Sequence, residues 1–184
     1  MFMLKFASSL KNLVRYVIKV DDDSYVHLPR LMSYISIMEK RCNNCIVGHV
    51  LGQNSPVIRP KSDTKRYAVG WEVPNYIYKP EKFPNAVSGS GYIIPMRILD
   101  CIYSKGLQTP YINLEDVFIT GLAASKCNVT LKNSPWFNYT GKKFSRIRGQ
   151  DVLVHNVRNE TVMYRIYDKL HPWILNQFVP YIYF

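Results

Sequence analysis

VIKVDDDSYV, residues 17–26, sets three consecutive aspartates directly behind an apolar run. Adjacent like charges repel, so Asp21, Asp22 and Asp23 either stand in water or face something positive. The run ahead of them, LVRYVIKV (13–20), is rich in β-branched and apolar types, as in a strand buried on both faces. A strand that ends in carboxylates presents them at the carboxyl edge of a sheet, where open α/β folds bind ligands. Hard oxygen donors suit Mg²⁺ or Mn²⁺, which take one or two protein carboxylates and share the rest with water and substrate phosphates. An EF-hand calcium loop would need ligands at alternate positions and a closing glutamate; Pro29 and Leu31 occupy that neighbourhood, which excludes it.

Outward from this stretch the pattern alternates. Residues 28–40, LPRLMSYISIMEK, carry Leu31, Ile35 and Met38 on one helical face, with Pro29 suited to the first turn. CIVGHV (45–50) reads as a strand. In WEVPNYIYKPEKFPNAVSGSGYIIP (71–95), prolines and glycines exclude a long helix. SGSGY (88–92) within it reads as a turn, with backbone open to close approach by a ligand. MRILDCIYSKG (96–106) is predicted helical with Gly106 as its cap, and LEDVFITGLAASK (114–126) helical with Glu115 and Asp116 in its first turn. VLVH (152–155) is a short strand ending on His155, and 161–170 an amphipathic helix. At the start, Phe2, Phe6, Leu10 and Leu13 fall near helical spacing. Strands alternating with helices predict an α/β fold with a mainly parallel sheet, and no repeat or low-complexity linker divides the 184 residues into two domains.

Charge is lopsided: 24 Lys and Arg against 13 Asp and Glu, a formal +11. A basic surface suits an anionic partner, yet there is no nucleic-acid module, Gly-rich phosphate loop or basic tail, which points away from nucleic acid. No apolar run approaches the roughly 18 to 20 residues of a membrane span. Cys42, Cys45, Cys101 and Cys127 allow two disulfides in pairings the spacing does not settle; a zinc site lacks a second Cys or His pair. Sequons at Asn128, Asn138 and Asn159 favour a secretory-pathway protein, where disulfides are permitted.

Singly, these signals have ordinary explanations. Acidic residues in a first helical turn complement the dipole, and a lone histidine is commonly packed or solvent-facing. Their order is more telling. YVIKVDDDSYV (16–26), WEVP (71–74), FPNAVSGSGYIIP (83–95), LEDVFITG (114–121) and VLVH resemble the inverting β-1,3-glycosyltransferases of glycosyltransferase family 31, which include β-1,3-galactosyltransferases and N-acetylglucosaminyltransferase relatives. MLKFASSLKN looks like the helix preceding the DDD strand in those enzymes.

The resemblance implies a GT-A-like, Rossmann-related mixed sheet flanked by helices, a UDP-galactose or UDP-N-acetylglucosamine donor, an acceptor glycan on glycoprotein or glycolipid, and Mn²⁺ (or Mg²⁺). It makes Asp116 the catalytic base and Asp23, His155 and Asp21 the metal-site residues. Lys19, Asp21, Asp22 and Asp23 would lie against the donor. Trp71, Gly89, Ser90, Gly91, Tyr92 and Glu115 would line the donor and acceptor pocket. Phe83 and Ala86 depart from the family's usual aromatic residues, which bears on acceptor preference. It further implies the lumenal side of the Golgi membrane, with an anchor and the first strands of the domain lying outside this chain. Residues 1–184 are thus expected to be the C-terminal part of one catalytic domain. The other reading is a catalytically inactive fragment that binds a glycan or a partner.

Overall fold

The computed structural model describes residues 1–52, 55–60, 70–139, 147–148 and 150–170. Its main sheet has four strands, β1 (Tyr16–Val20), β3 (Cys45–Leu51), β4 (Ala86–Pro95) and β5 (Thr130–Asn133), in the order β1-β4-β3-β5. A smaller sheet sets β2 (Tyr25–Val26) and β6 (Phe137–Asn138) on either side of β7 (Leu153–Val154). The fold is mixed α/β, but the expectation of a mainly parallel sheet is wrong. In the main sheet β4 runs antiparallel to both β1 and β3, and β3 pairs parallel with β5; in the smaller sheet β7 is antiparallel to β2 and parallel to β6. Parallel neighbours need a crossover connection, usually a helix. Between β3 and β4 the described residues 55–60 and 70–85 form none, and the chain returns antiparallel.

Alternation along β4 builds two cores. Tyr92 and Ile94 face one side with Ile46 of β3, packing against α1 (Phe2–Ser9), α3 (Met96–Leu107) and the helix over 115–126. Ile93 faces the other side with Cys45 and Val47, under Leu31, Ile35 and Met38 of α2 (Leu28–Arg41). Ile166 and Leu170 of α4 (Glu160–Leu170) close a third cluster over the smaller sheet. Disulfides join Cys42 to Cys45 and Cys101 to Cys127, the second tying α3 to the helix beyond Asp116.

Two local expectations are corrected by close packing. Gly106 lies inside α3 instead of capping it, and a Cβ there would come within 2.7 Å of Met1 Cε. The start of α1 uses that space, so Leu4 and Ala7 are the buried face while Phe2, Phe6 and Leu13 stand exposed. The proline-rich region is tied to residues 55–58 by backbone hydrogen bonds (Val57 N–H to Glu81, Val73 N–H to Ile58 and Phe83 N–H to Ser55) and gathered by one cation. Arg59 donates to the carbonyls of Val73, Tyr78, Lys79 and Pro80, which fixes the segment next to Trp71.

SGSGY is not a turn: it lies within β4 as an irregularity. Gly48 of β3 pairs with Tyr92, but Val50 pairs with Val87, so two steps on β3 answer five on β4 and three extra residues are accommodated there. Gly48 is where the strands crowd, because a Cβ would meet Val87 Cγ1 at 2.5 Å and the Gly91 carbonyl oxygen at 2.8 Å. Backbone cannot give way as a side-chain tip can. Gly48→Ala is expected to lower unfolding free energy by about 1–3 kcal/mol. Gly52→Ala, with nothing within 4 Å, should stay within about 0.5 kcal/mol of the parent. Urea denaturation of the two variants side by side measures the difference.

Candidate active site

Residues displaced from the β3–β4 ladder hand their backbone groups to the site. The Gly89 N–H donates to Asp116 Oδ2 at 2.9 Å, and the Gly89 carbonyl accepts from Lys19 Nζ at 2.5 Å. The Ser90 carbonyl accepts from the Asp21 N–H at 3.3 Å and from Ser24 Oγ at 2.9 Å. The strand end carrying the aspartates and the helix start carrying Asp116 are therefore attached to the same few residues of β4.

On the aspartate side, one ligand atom each of Asp21, Asp23 and His155 lie within 4.8 Å of one another. His155 Nδ1 is 2.6 Å from the Tyr139 carbonyl oxygen. A carbonyl only accepts, so Nδ1 carries the hydrogen, and in the neutral ring Nε2 turns a lone pair inward. That atom is 3.1 Å from Asp23 Oδ1 and 3.5 Å from Asp21 Oδ2. Asp23 Oδ1 is buried and accepts no hydrogen bond. Both carboxylates have their outer oxygen occupied by a basic side chain: Asp21 Oδ1 meets Lys19, and Asp23 Oδ2 lies 3.6 Å from Arg158 Nε. Two carboxylate oxygens and an imidazole nitrogen converging on one point form an arrangement that suits a divalent cation. The set of two carboxylate oxygens and one imidazole fits Mn²⁺, and Mg²⁺ less well because it prefers oxygen throughout.

Asp116 stands on the other arm. Its Oδ1 accepts from the Val117 N–H at 2.8 Å, and with Oδ2 on Gly89 each oxygen keeps a lone pair for another donor. The helix after it is wound as a π-helix over Val117–Ala123, a form frequent at functional sites. Thr120 secures it to β4, accepting from the Val87 N–H at 2.7 Å and donating to the Asp116 carbonyl at 2.6 Å. A cavity of about 420 Å³ joins the two arms: Asp21, His155 and Tyr139 line one part, Ser88, Gly89, Ser90 and Asp116 another, and exposed Trp71 borders it.

Some expected site residues lie elsewhere. Tyr92 is fully buried; its hydroxyl donates to Glu115 Oε1, so it does not line a pocket. Gly91 is buried as well, because a Cβ there would come within 2.2 Å of Leu153 Cδ1. Glu115 turns toward the sheet, to Tyr92 and Lys19. Asp22 is exposed and lines an outer depression with Asp23 and Arg158. Of the sequons, Asn128 and Asn159 stand exposed, whereas Asn138 is buried in β6 and its Thr140 lies outside the described residues. Tyr139, which orients His155, carried no signal in the sequence beyond its place inside that sequon. Ser88, inside the SGSGY stretch, was not among the pocket residues the resemblance implied, yet it lines the cavity.

Among the described residues, no helix is long and apolar enough to cross a membrane. The chain is 25% identical over 169 residues to Mus musculus β-1,3-galactosyltransferase 1, covering 91% of this chain and 49% of that protein. It is 30% identical over 146 residues to Rattus norvegicus lactosylceramide 1,3-N-acetyl-β-D-glucosaminyltransferase, covering 77% and 36%. With Pan troglodytes β-1,3-galactosyltransferase 5 the identity is 26% over 152 residues, covering 80% and 48%. The chain thus spans about half or less of the length of these relatives. The galactosyltransferase family model matches residues 1–135, which take in the DDD strand, the irregular stretch of β4 and Asp116, and the chain belongs to that family.

Proposed function

We propose that this chain carries the reaction site of a GT-A-type β-1,3-glycosyltransferase. The site moves galactose or N-acetylglucosamine from a UDP-sugar to a hydroxyl of an acceptor glycan, with inversion. The observation that carries this reading is the convergence of Asp21, Asp23 and His155 on one point while Asp116 opens onto the same cavity. Asp21, Asp23 and His155 would hold Mn²⁺, which when bound neutralises charge growing on a departing diphosphate. Asp116 takes the proton of the acceptor hydroxyl as that oxygen attacks the anomeric carbon. The backbone N–H groups of Gly89 and Val117 hold its carboxylate in place. Attack from the face opposite the diphosphate inverts the configuration. Trp71 offers the sugar an apolar wall. Two disulfides and exposed sequons at Asn128 and Asn159 support work on the lumenal side of the Golgi.

Transfer of radiolabelled galactose or N-acetylglucosamine from the UDP-sugar in the presence of Mn²⁺ tests the reading. Asp116→Asn should reduce turnover by about 10²- to 10⁴-fold and leave Mn²⁺ binding in place. The amide can answer only one of the two backbone donors, so about 1–3 kcal/mol of stability goes with it; assays therefore belong well below the unfolding temperature. Turnover equal to the parent's would remove Asp116 from the mechanism.

His155→Ala and Asp23→Asn act on the opposite arm. Each should raise the half-saturating Mn²⁺ concentration by about tenfold or more, since losing a ligand costs at least as much as losing a ligand's hydrogen-bond partner. Titration calorimetry reads this directly, and unchanged Mn²⁺ affinity in both variants would refute the cation site.

A further inference from the structure

Lys19 sits where the two arms of the site meet. Its Nζ reaches Asp21 Oδ1, the Gly89 carbonyl at 2.5 Å and Glu115 Oε2 at 3.5 Å, with only 15% of the side chain exposed. An ammonium group has three protons, and three acceptors surround this one. Two of those protons are hydrogen-bonded and Glu115 pairs with the charge from a third side, and Lys19 is not among the residues lining the cavity. The family resemblance places this lysine beside the nucleotide sugar; its surroundings place it underneath, bridging strand and helix.

We propose that Lys19 is a positioning residue that fixes Asp116 relative to the cation-binding carboxylates, and is not a ligand of the sugar donor. The proposal rests on Asp116 as the base and Asp21 as a cation ligand. Lys19 reaches Asp116 by two routes. One runs through Gly89, whose carbonyl it binds and whose N–H holds Asp116 Oδ2. The other runs through Glu115, next to Asp116 in the chain, which also accepts from the Tyr92 hydroxyl. Tyr92 is Lys19's partner across the β1–β4 ladder, so the two residues gripping Glu115 come from adjacent strands. Burial first, and then Glu115, push the Tyr92 phenol well above its ordinary range, which keeps it a hydrogen-bond donor. On the cation side, Lys19 occupies Asp21 Oδ1 and leaves Oδ2 to face His155. Without the lysine, Asp21 and Glu115 would be two half-shielded carboxylates with no cation between them, and each would turn toward water.

The test reads Asp116 through its own hydrogen bond. Amide exchange of Gly89, followed by NMR in the ligand-free chain, reports whether the carboxylate stays on that N–H. In Lys19→Met, Gly89 exchange should accelerate about tenfold or more relative to the Ile46 and Ile93 amides of the core. Unchanged Gly89 protection overturns the proposal. This measurement uses neither sugar donor nor cation, so its failure is distinct from a failure of the transfer reading. In the transfer assay, kcat should fall about a hundredfold, as for a catalytic group displaced by about 1 Å, with KM for the UDP-sugar within about threefold of the parent. A raised donor KM with kcat preserved would make Lys19 a donor ligand and overturn the assignment. Should the methionine variant not fold, Lys19→Arg is read by the same exchange ratio. It keeps the charge but spreads its donors over a planar fork that cannot serve three acceptors from one nitrogen.

Discussion

Backbone groups that leave a sheet ladder must find other partners, and that requirement organises this site. Where β4 accommodates its three extra residues, Gly89 and Ser90 lose their places opposite β3. Gly89 turns instead to Asp116 and Lys19, while Ser90 carries the β1 ladder on to the Asp21 N–H and also accepts from Ser24. The irregular strand therefore acts as the common mount for two groups that lie 95 residues apart in the chain, at Asp21 and Asp116. Had β4 paired regularly, the Gly89 N–H and carbonyl would have been spent on β3, and the N–H would not hold Asp116. The glycines permit this arrangement for a steric reason. Gly91 passes under Leu153, and Gly48 passes under Val87 and the Gly91 carbonyl, at distances no side chain allows.

The electrostatics follow the same economy of contacts. The chain is strongly basic overall, yet its acidic cluster is not dispersed by that charge. Lys19 and Arg158 each take one oxygen of an aspartate, Asp21 and Asp23 respectively, and the remaining oxygens face His155. These lysine and arginine contacts orient the two carboxylates as well as neutralising them. Asp116 has a neutral mount instead, two backbone N–H groups, which hold it without a cation of its own.

Local structure was largely legible in the sequence. The strand before the aspartates, α2, α3 and α4 follow from periodicity, with boundaries shifted by a few positions, but β1 is an edge strand with Ile18 and Val20 exposed and is not buried on both faces as expected. Strand direction was not legible, because alternation of helices and strands suggests parallel pairing only when helices make the connections. The connection after β3 is fixed by its own backbone hydrogen bonds and by Arg59 on four carbonyls, contacts with no periodic signature. SGSGY misled for a related reason: glycine marks a turn and a strand irregularity with the same letters. The metal-site residues were named through family resemblance, and the structure brings Asp21, Asp23 and His155 together. Residues whose role depends on direction were misjudged. Tyr92 and Glu115 adjoin the pocket in sequence but point into the sheet, and Lys19 is committed to three acceptors that only the folded chain assembles.

Asn138 gives the fold a sense of timing. It belongs to β6, pairs alongside Val154 of β7, and its carbonyl receives the His155 N–H, so the strand that buries it also seats His155. An oligosaccharide on that asparagine and the closed smaller sheet exclude each other sterically. In a secretory compartment the first event decides: a chain that closes β6 on β7 early leaves Asn138 bare, whereas a chain modified first cannot seat His155. The sugar content of Asn138 would then be a record of how fast the molecule folded, written at the residue that carries the histidine's support.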